Sequence, residues 1–343
     1  METMSQEQRV WQLAIYASHL ATGFTLWSRS VKSNTIQKYI RDVAKFIGPH
    51  SGVDPRKLDP TDRRVAPPIQ AVIDEVARWE TVPNRREPLT LEMVATLRQH
   101  ASTSDPDSLH SACLNWFVCG LHAGFRMSEW GQSTQTDIEH PQCDAKGIPL
   151  AFRLQDIELR LVNNRRTTLV NALSLKPHQV ERVRLTFTHQ KNGELGEVRS
   201  FTANPTNPHL CFVRNFLAVI HHFLRIVGWR FDIPISVFRP LTGEPLSVTG
   251  HNVAHVMQET AAITYSLDPN IKSHAIELAR WTSHSIRVGA CVILHSEGFT
   301  TIQIQFLLRW RSDAFMEYLR NVQALTTKQT MAIDKMADMP QVL

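Results

Sequence analysis

The sequence predicts a mainly α fold carrying a small antiparallel sheet, an α+β arrangement in two domains. Three observations carry that expectation. Apolar residues recur at helical spacing through the first quarter of the chain and again after Pro208. Between these regions, Arg182-Val-Arg-Leu-Thr-Phe-Thr188 alternates at period two, and Gly196-Glu-Val-Arg-Ser-Phe201 reads as its return strand. Finally, Thr81-Val-Pro-Asn-Arg-Arg-Glu-Pro88 is polar and bounded by prolines, as a linker is. The expected division is a helical domain at 1–83, a linker at 84–88 and a second domain at 89–343 with a C-terminal tail helix.

Taken in order, Val10, Leu13, Ala14, Ala17 and Leu20 predict a helix from Gln6 to about Ala21. A second helix is expected from Asn34 to Phe46, capped by Ser33, with Ile36, Tyr39, Ile40, Val43 and Phe46 as its apolar stripe. Its other face carries Lys38, Arg41 and Lys45, which suit either solvent or DNA phosphates. Pro, Asp and Gly make 48–68 a loop region, followed by a helix at about 68–80. Thr90 caps the next helix, with Met93 and Leu97 inward, and 107–120 reads as a buried helix. Lys191-Asn192-Gly193 forms the hairpin turn of the sheet. Further helices are expected at 209–227, 249–263, 274–296, 299–309, 313–320 and 325–337.

Composition narrows the class. Of 343 residues, 43% are hydrophobic and 20% charged, which excludes a disordered or fibrous chain. The formal charge is +5, too small for a purely electrostatic nucleic-acid coat protein. The excess is uneven, since residues 1–86 hold 13 Lys and Arg against 9 Asp and Glu. Five scattered cysteines with no C-x-x-C pair argue against a disulfide framework or zinc knuckle. The polar opening METMSQEQRV has no secretory h-region, and the run from Phe216 to Trp229 is too short and too polar to span a bilayer. An intracellular protein without membrane attachment is expected.

Four segments of the second domain carry chemistry as a set. Gly124-Phe-Arg-Met-Ser-Glu129 places Arg126 and Glu129 at i,i+3, which alone describes a surface ion pair. Trp281-Thr-Ser-His-Ser-Ile-Arg-Val-Gly-Ala290 places His284 and Arg287 at i,i+3 among apolar neighbours, a pattern of partly buried polar groups that need an anionic partner. Lys191 sits in the hairpin turn. Leu308-Arg-Trp-Arg-Ser-Asp-Ala-Phe-Met-Glu-Tyr318 carries Trp310 and Tyr318. On one straight helix those two would stand about 12 Å apart along the axis. Both reach one substrate only if the helix breaks, and Ser312, as an N-cap, supplies the break.

Those residue types match one reaction. A side-chain oxygen attacking a phosphodiester passes through a five-coordinate phosphorane with extra negative charge. Paired guanidiniums suit its oxygens, and the leaving sugar oxygen needs a positioned acid. A tyrosine phenol serves as nucleophile in one direction and leaving group in the other, which conserves the bond for rejoining. Arginines can supply the charge, so no metal or other cofactor is expected. His251 and His255 stand at i,i+4 but lack a motif carboxylate, and His221 and His222 point to different faces. No phosphate-binding Gly-x-x-x-x-Gly-Lys or His-Glu-x-x-His is present.

The set resembles the tyrosine recombinase (phage integrase) family. Gly-Phe-Arg-Met-Ser-Glu is similar to its first-arginine box, Lys191 to its hairpin lysine, and Thr282-Ser-His-Ser-Ile-Arg-Val-Gly-Ala to its His-x-x-Arg box in a Cre-like form. Trp310 is similar to the His/Trp position and Tyr318 to the nucleophile. The resemblance covers roughly 88–325 and, more weakly, the helix at 34–46. The spacing from Trp310 to Tyr318 is one residue shorter than the commoner form and resembles the Trp-x-Ser-x-Ala-Phe-x-x-Tyr box of eukaryotic mobile-element recombinases.

The resemblance implies a helical DNA-gripping domain followed by a DNA breaking-rejoining catalytic domain, and a site-specific recombinase or integrase working without metal. It implies that Tyr318 attacks the scissile phosphate, leaving a 3′-phosphotyrosine and a free 5′-hydroxyl. Arg126 and Arg287 would clamp the phosphate, and Lys191 would be the general acid. His284 would move the nucleophile's proton, Trp310 would pack at the phosphate, and Glu129 would orient the set. The implied partner is double-stranded DNA, bound by a homo-oligomer, a tetramer on two sites whose tail helix (Ala332, Met336, Met339) docks on a neighbour. The implied location is the nucleus of a eukaryote, or the cytoplasm or nucleoid of a bacterium or phage host. Two alternatives share the residues: a type IB topoisomerase-like enzyme, and a domesticated mobile-element protein that binds DNA without cutting it.

Overall fold

The computed structural model describes residues 4–23, 31–80, 85–134, 136–162, 165–167, 169–189, 196–310, 312 and 315–319. The chain divides into two compact units, Met1–Asn84 and Arg85–Leu343.

In the first unit three helices bury one aliphatic cluster. Helix α1 (Gln6–Thr22) opens with a capping box, in which Ser5 Oγ accepts from Gln8 N–H and Gln8 Oε1 accepts from Ser5 N–H at 2.8 Å. Its buried stripe is Val10, Leu13, Ala14, Ala17 and Leu20, the set that the spacing predicts. It packs on Ile36 and Ile40 of α2 (Ser33–Ser51) and on Ile69 and Ile73 of α3 (Pro67–Trp79).

Helix α2 departs from expectation at three points. Its N-cap is Lys32, while Ser33 is buried inside the first turn with its N–H on the Glu80 carboxylate. It runs through Gly48 and Pro49 and stops at Gly52, whose φ of 71° terminates it. Tyr39 and Phe46 are exposed rather than core, because Ile36 and Ile40 already fill the space against α1 and α3. Lys38, Arg41 and Lys45 are exposed on the same outer side.

The second unit begins with α4 (Leu91–Thr103), capped by Thr90, and α5 (Leu109–Ala123), capped by Ser108. A single turn, α6 (Met127–Trp130), follows. The sheet has four antiparallel strands, β1 (Ile157–Leu161), β2 (Arg166–Thr167), β3 (Val180–Phe187) and β4 (Glu197–Thr202), in the order β2-β1-β3-β4. The hairpin closes on the pair Phe187 and Glu197. Then come α7 (Phe212–Ile226), a small ladder of β5 (Val237–Phe238) and β6 (Leu246–Ser247), α8 (Gly250–Tyr265), α9 (Lys272–Leu278), α10 (Ser285–Ser296), α11 (Thr301–Leu308) and α12 (Met316–Leu319).

The architecture is therefore mainly α with a small antiparallel sheet. Helix α5 is the centre of the core. Its Trp116 stacks on Trp130 at 5.0 Å and meets Phe125 and Phe216 edge-on. Helix α10 lies close against it. A Cβ at Gly120 would sit 2.3 Å from Ile286 Cγ2, and one at Gly289 would sit 2.3 Å from the Leu89 carbonyl oxygen. These two glycines permit the approach that carries the start of α10 to the end of α5.

One expectation in this unit needs correction. The single helix at 274–296 is two, with 279–284 non-helical. Thr282 N–H donates to Ser285 Oγ at 3.0 Å and the Trp281 indole donates to Pro88 O at 3.2 Å, so local polar bonds and a tertiary anchor hold the connection. The β5–β6 ladder lies between the helices expected at 209–227 and 249–263, where no element was expected, since two-residue strands leave no periodicity to read. Helix α11 ends at Arg309, where φ is 56°, and Ser312 is non-helical, as a break between Trp310 and Tyr318 requires; the described part of the last helix is Met316–Leu319. The tail expected at 325–337 lies outside the described residues. No helix among the described residues is long and apolar enough to cross a membrane.

Candidate active site

The end of α5 builds the first half of the site. Gly124 terminates the helix at φ 55°, with its N–H on Gly120 O at 2.7 Å. A Cβ there would also meet Leu308 Cδ2 at 2.8 Å, so the position suits glycine twice over. The chain then turns so that Phe125 enters the core and Arg126 caps α6. Glu129, 3% exposed, accepts from Arg126 twice, at the backbone N–H (Oε2, 2.9 Å) and at Nη1 (Oε1, 2.9 Å). The i,i+3 pair is therefore a buried carboxylate holding a half-buried guanidinium, not a surface ion pair.

The start of α10 supplies the second half. Arg287 is 2% exposed and donates from Nη1 to Gly124 O and from Nη2 to Leu308 O at 2.7 Å. Its guanidinium carbon stands 4.2 Å from the Trp310 ring centroid. Burial, and then the charge of Arg126, push its pKa down to about 9, so it stays cationic at neutral pH. Arg126 Nη2 and Arg287 Nη2 converge on one acceptor, Arg309 O, at 3.1 and 3.4 Å.

The third part follows α11. Phe315 and Leu319 stand four residues apart and are buried with Cys291, Ile304 and Leu308. This packing holds α12 and leaves Tyr318 half-buried, facing His284. His284 Nε2 and Tyr318 Oη lie 2.8 Å apart, with the Trp310 ring centroid 6.3 Å from the imidazole and 6.1 Å from the phenol. Burial pushes the His284 pKa down to about 4, aided by the positive charges of Arg287, Arg86 and Arg126. The imidazole is thus neutral at pH 7 and can accept the phenol proton at Nε2. The Cys291 thiol beneath is raised to about 12 by burial and is inert at neutral pH.

The fold therefore gathers Arg126, Glu129, His284, Arg287, Trp310 and Tyr318, which span 192 positions of sequence, into one cluster. Lys191 lies outside the described residues; the strands that lead to its turn end at Phe187 and Glu197.

Sequence reasoning missed Arg309. It is 5% exposed, donates from Nη2 to Glu129 Oε2 at 2.7 Å, and lies with its guanidinium carbon 3.7 Å from the Phe187 ring centroid. No signal marked it, since a left-handed helix terminus is ordinarily glycine or asparagine.

Among the described residues no group of three or more His, Cys, Asp or Glu is arranged to hold a metal ion. His251 and His255 are both exposed, and His255 Nε2 lies 3.4 Å from Glu259 Oε1. His221 is tied to Ala172 O at 2.7 Å.

No model of a known protein family matches the chain, and no curated protein does. Among solved structures, a Tn1549 transposon integrase in complex with transposon right end DNA is 12% identical. That match covers 97% of this chain and 86% of the other, with a TM-score of 0.45. The XerH site-specific recombinase bound to palindromic difH substrate, a post-cleavage complex, is 10% identical, covering 99% and 73% with a TM-score of 0.45.

Proposed function

We propose that this protein is a DNA strand transferase of the tyrosine recombinase type, which breaks and rejoins duplex DNA at specific sites. The observation that carries the reading is the 2.8 Å approach of a neutral imidazole to a tyrosine hydroxyl, beside two arginines that converge on one point.

On this reading the scissile phosphate binds beside the guanidiniums of Arg126 and Arg287, whose shared acceptor without DNA is the Arg309 carbonyl. Tyr318 Oη forms a bond to phosphorus while His284 Nε2 takes its proton. The bond from phosphorus to the 5′ oxygen breaks, and that oxygen is protonated by Lys191, an assignment resting on its sequence position. The product is a 3′-phosphotyrosine and a free 5′-hydroxyl, and the reverse reaction with another 5′-hydroxyl rejoins the strand. The guanidiniums pair with the non-bridging oxygens and favour the extra charge of the phosphorane. Trp310 shields the face of Arg287 from water, and Glu129 aims Arg126. No metal or cofactor takes part.

The exposed Lys38, Arg41 and Lys45 are proposed to meet DNA phosphates, and the protein to act as a tetramer on two sites. The Cre-like arginine box and the shorter mobile-element tyrosine box belong to this proposal as well.

The test is incubation with a pool of random-sequence duplexes in excess EDTA, followed by denaturing electrophoresis. A covalent protein–DNA adduct is expected, and it is lost in Tyr318→Phe while duplex affinity is retained. An adduct that persists in the variant removes Tyr318 from its role. Absence of any adduct favours the domesticated DNA-binding reading, and on supercoiled plasmids carrying the selected sequences, relaxed rather than recombinant products favour the topoisomerase.

A further inference from the structure

The site holds one buried charge that the proposed chemistry leaves unused, the guanidinium of Arg309. Its backbone adopts φ 56°, a conformation that L side chains disfavour and glycine does not. Its side chain is nevertheless committed on two sides. Nη2 donates to Glu129 Oε2 at 2.7 Å, and the guanidinium lies over Phe187, the last residue of β3 before the hairpin loop. Its own carbonyl is the point on which Arg126 and Arg287 converge. One residue therefore touches the first-arginine box, the second-arginine box and the root of the hairpin, and it directly precedes Trp310.

We propose that Arg309 is a positioning residue that acts through Glu129. The two Glu129 oxygens are divided, Oε1 taking Arg126 Nη1 and Oε2 taking Arg309 together with the Arg126 backbone N–H. This division fixes the carboxylate plane and, through it, the direction of Arg126. It also sets the charge. A lone Glu129–Arg126 pair would be closed and neutral. With Arg309 sharing the carboxylate, the pair becomes a cationic triad, and Arg126 keeps its attraction for a phosphate. The Arg309 side chain, 5% exposed, is directed at Glu129 and Phe187, so its loss is expected to change the rate rather than DNA affinity.

The inference rests on the phosphotyrosine reading, and the experiment separates the two. The measurement is a double-mutant cycle on the single-turnover rate of adduct formation, with DNA affinity measured alongside. Arg309→Gly suits the left-handed backbone while deleting the side chain. Cleavage is expected to fall on the order of 100-fold, the usual cost of a misaimed group, with the DNA Kd within about threefold. Arg309→Gly combined with Glu129→Gln is expected to be within about threefold of Glu129→Gln alone, because one residue acts through the other.

Multiplying losses would overturn the proposal, as would a large Kd change, or cleavage by Arg309→Gly within threefold of wild type. So would a loss that merely follows the unfolded fraction and disappears on cooling. Should Arg309→Gly fail to fold, Arg309→Lys replaces it in the same cycle. It keeps the charge but not the planar fork, and the same non-additivity with Glu129→Gln is required. Failure of the phosphotyrosine reading shows itself earlier, as wild-type protein that forms no adduct.

Discussion

The state of His284 can be tested by acid alone. If the free protein holds this imidazole at a pKa of about 4, lowering the pH from 7 to 5.5 leaves it almost wholly neutral. The two-state arithmetic gives about 97% neutral, against about 9% for an imidazole at its ordinary pKa near 6.5. A reaction that needs Nε2 to accept the Tyr318 proton would therefore hold its rate at pH 5.5. With an unperturbed histidine it would fall roughly tenfold. The assay is kcat/KM for adduct formation on a nicked duplex between pH 4.5 and 7.5, since that quantity reports the free protein. Imidazole NMR titration of the protein without DNA accompanies it. The expected acid limb lies near pH 4 to 5, and the expected His284 titration lies well below 6. An acid limb centred near 6.5, matched by a His284 resonance titrating there, would refute the claim that burial and three neighbouring arginines hold the imidazole neutral.

His222, buried and pushed down to about 4 chiefly by desolvation, predicts an acid-linked loss of stability. The folded chain takes that proton only near pH 4 and the unfolded chain near 6.5. Stability present above 6.5 is therefore lost as the pH falls to 4, by about 3 kcal/mol per such histidine, and His222→Leu removes one such contribution in urea melts at pH 5 against pH 7. Gly289→Ala should destabilise by about 2 kcal/mol or more, because the new methyl meets the rigid Leu89 carbonyl; an unchanged urea midpoint would contradict that packing. Lys191→Ala should slow cleavage of ordinary DNA and be largely rescued by a 5′-bridging sulfur, which leaves unprotonated. An equal defect on both substrates removes the lysine from the acid's role.

What the sequence discloses and what it hides follow one physical division. Helices with long amphipathic stripes, such as α1, and caps fixed by one side chain, such as Thr90, are local and legible. So are the i,i+3 pairs of Arg126 with Glu129 and His284 with Arg287, since one helical turn sets their geometry. Ser33 looks like a cap but loses that role to a tertiary demand, since it is drawn inward to Glu80. The split between α9 and α10 depends on the Trp281 indole reaching Pro88, a contact across 193 residues that periodicity does not record. Arg309 was invisible for the same reason, because its partners Glu129 and Phe187 are 180 and 122 residues away.

The charge balance of the cluster gives its chemistry a direction. Among the described residues, Glu129 is the carboxylate that pairs with both Arg126 and Arg309, Glu197 adds its charge near Arg309, and the adjacent imidazole is neutral. Arg287 spends its donors on the carbonyls of Gly124 and Leu308, which are dipoles rather than anions, and its pKa is pushed down to about 9. A buried cation in that condition is short of negative charge, and an anion brought beside it restores the deficit. On the proposed phosphotyrosine reading, a phosphodiester supplies one negative charge, and the five-coordinate state reached when Tyr318 adds to it supplies more. On that reading the cluster favours the second over the first, and that difference, rather than tight binding of intact DNA, would lower the barrier. The same imbalance accounts for the Trp310 ring standing against the Arg287 guanidinium. An aromatic face excludes water without neutralising the guanidinium, so the unmet charge is preserved for the group that reacts.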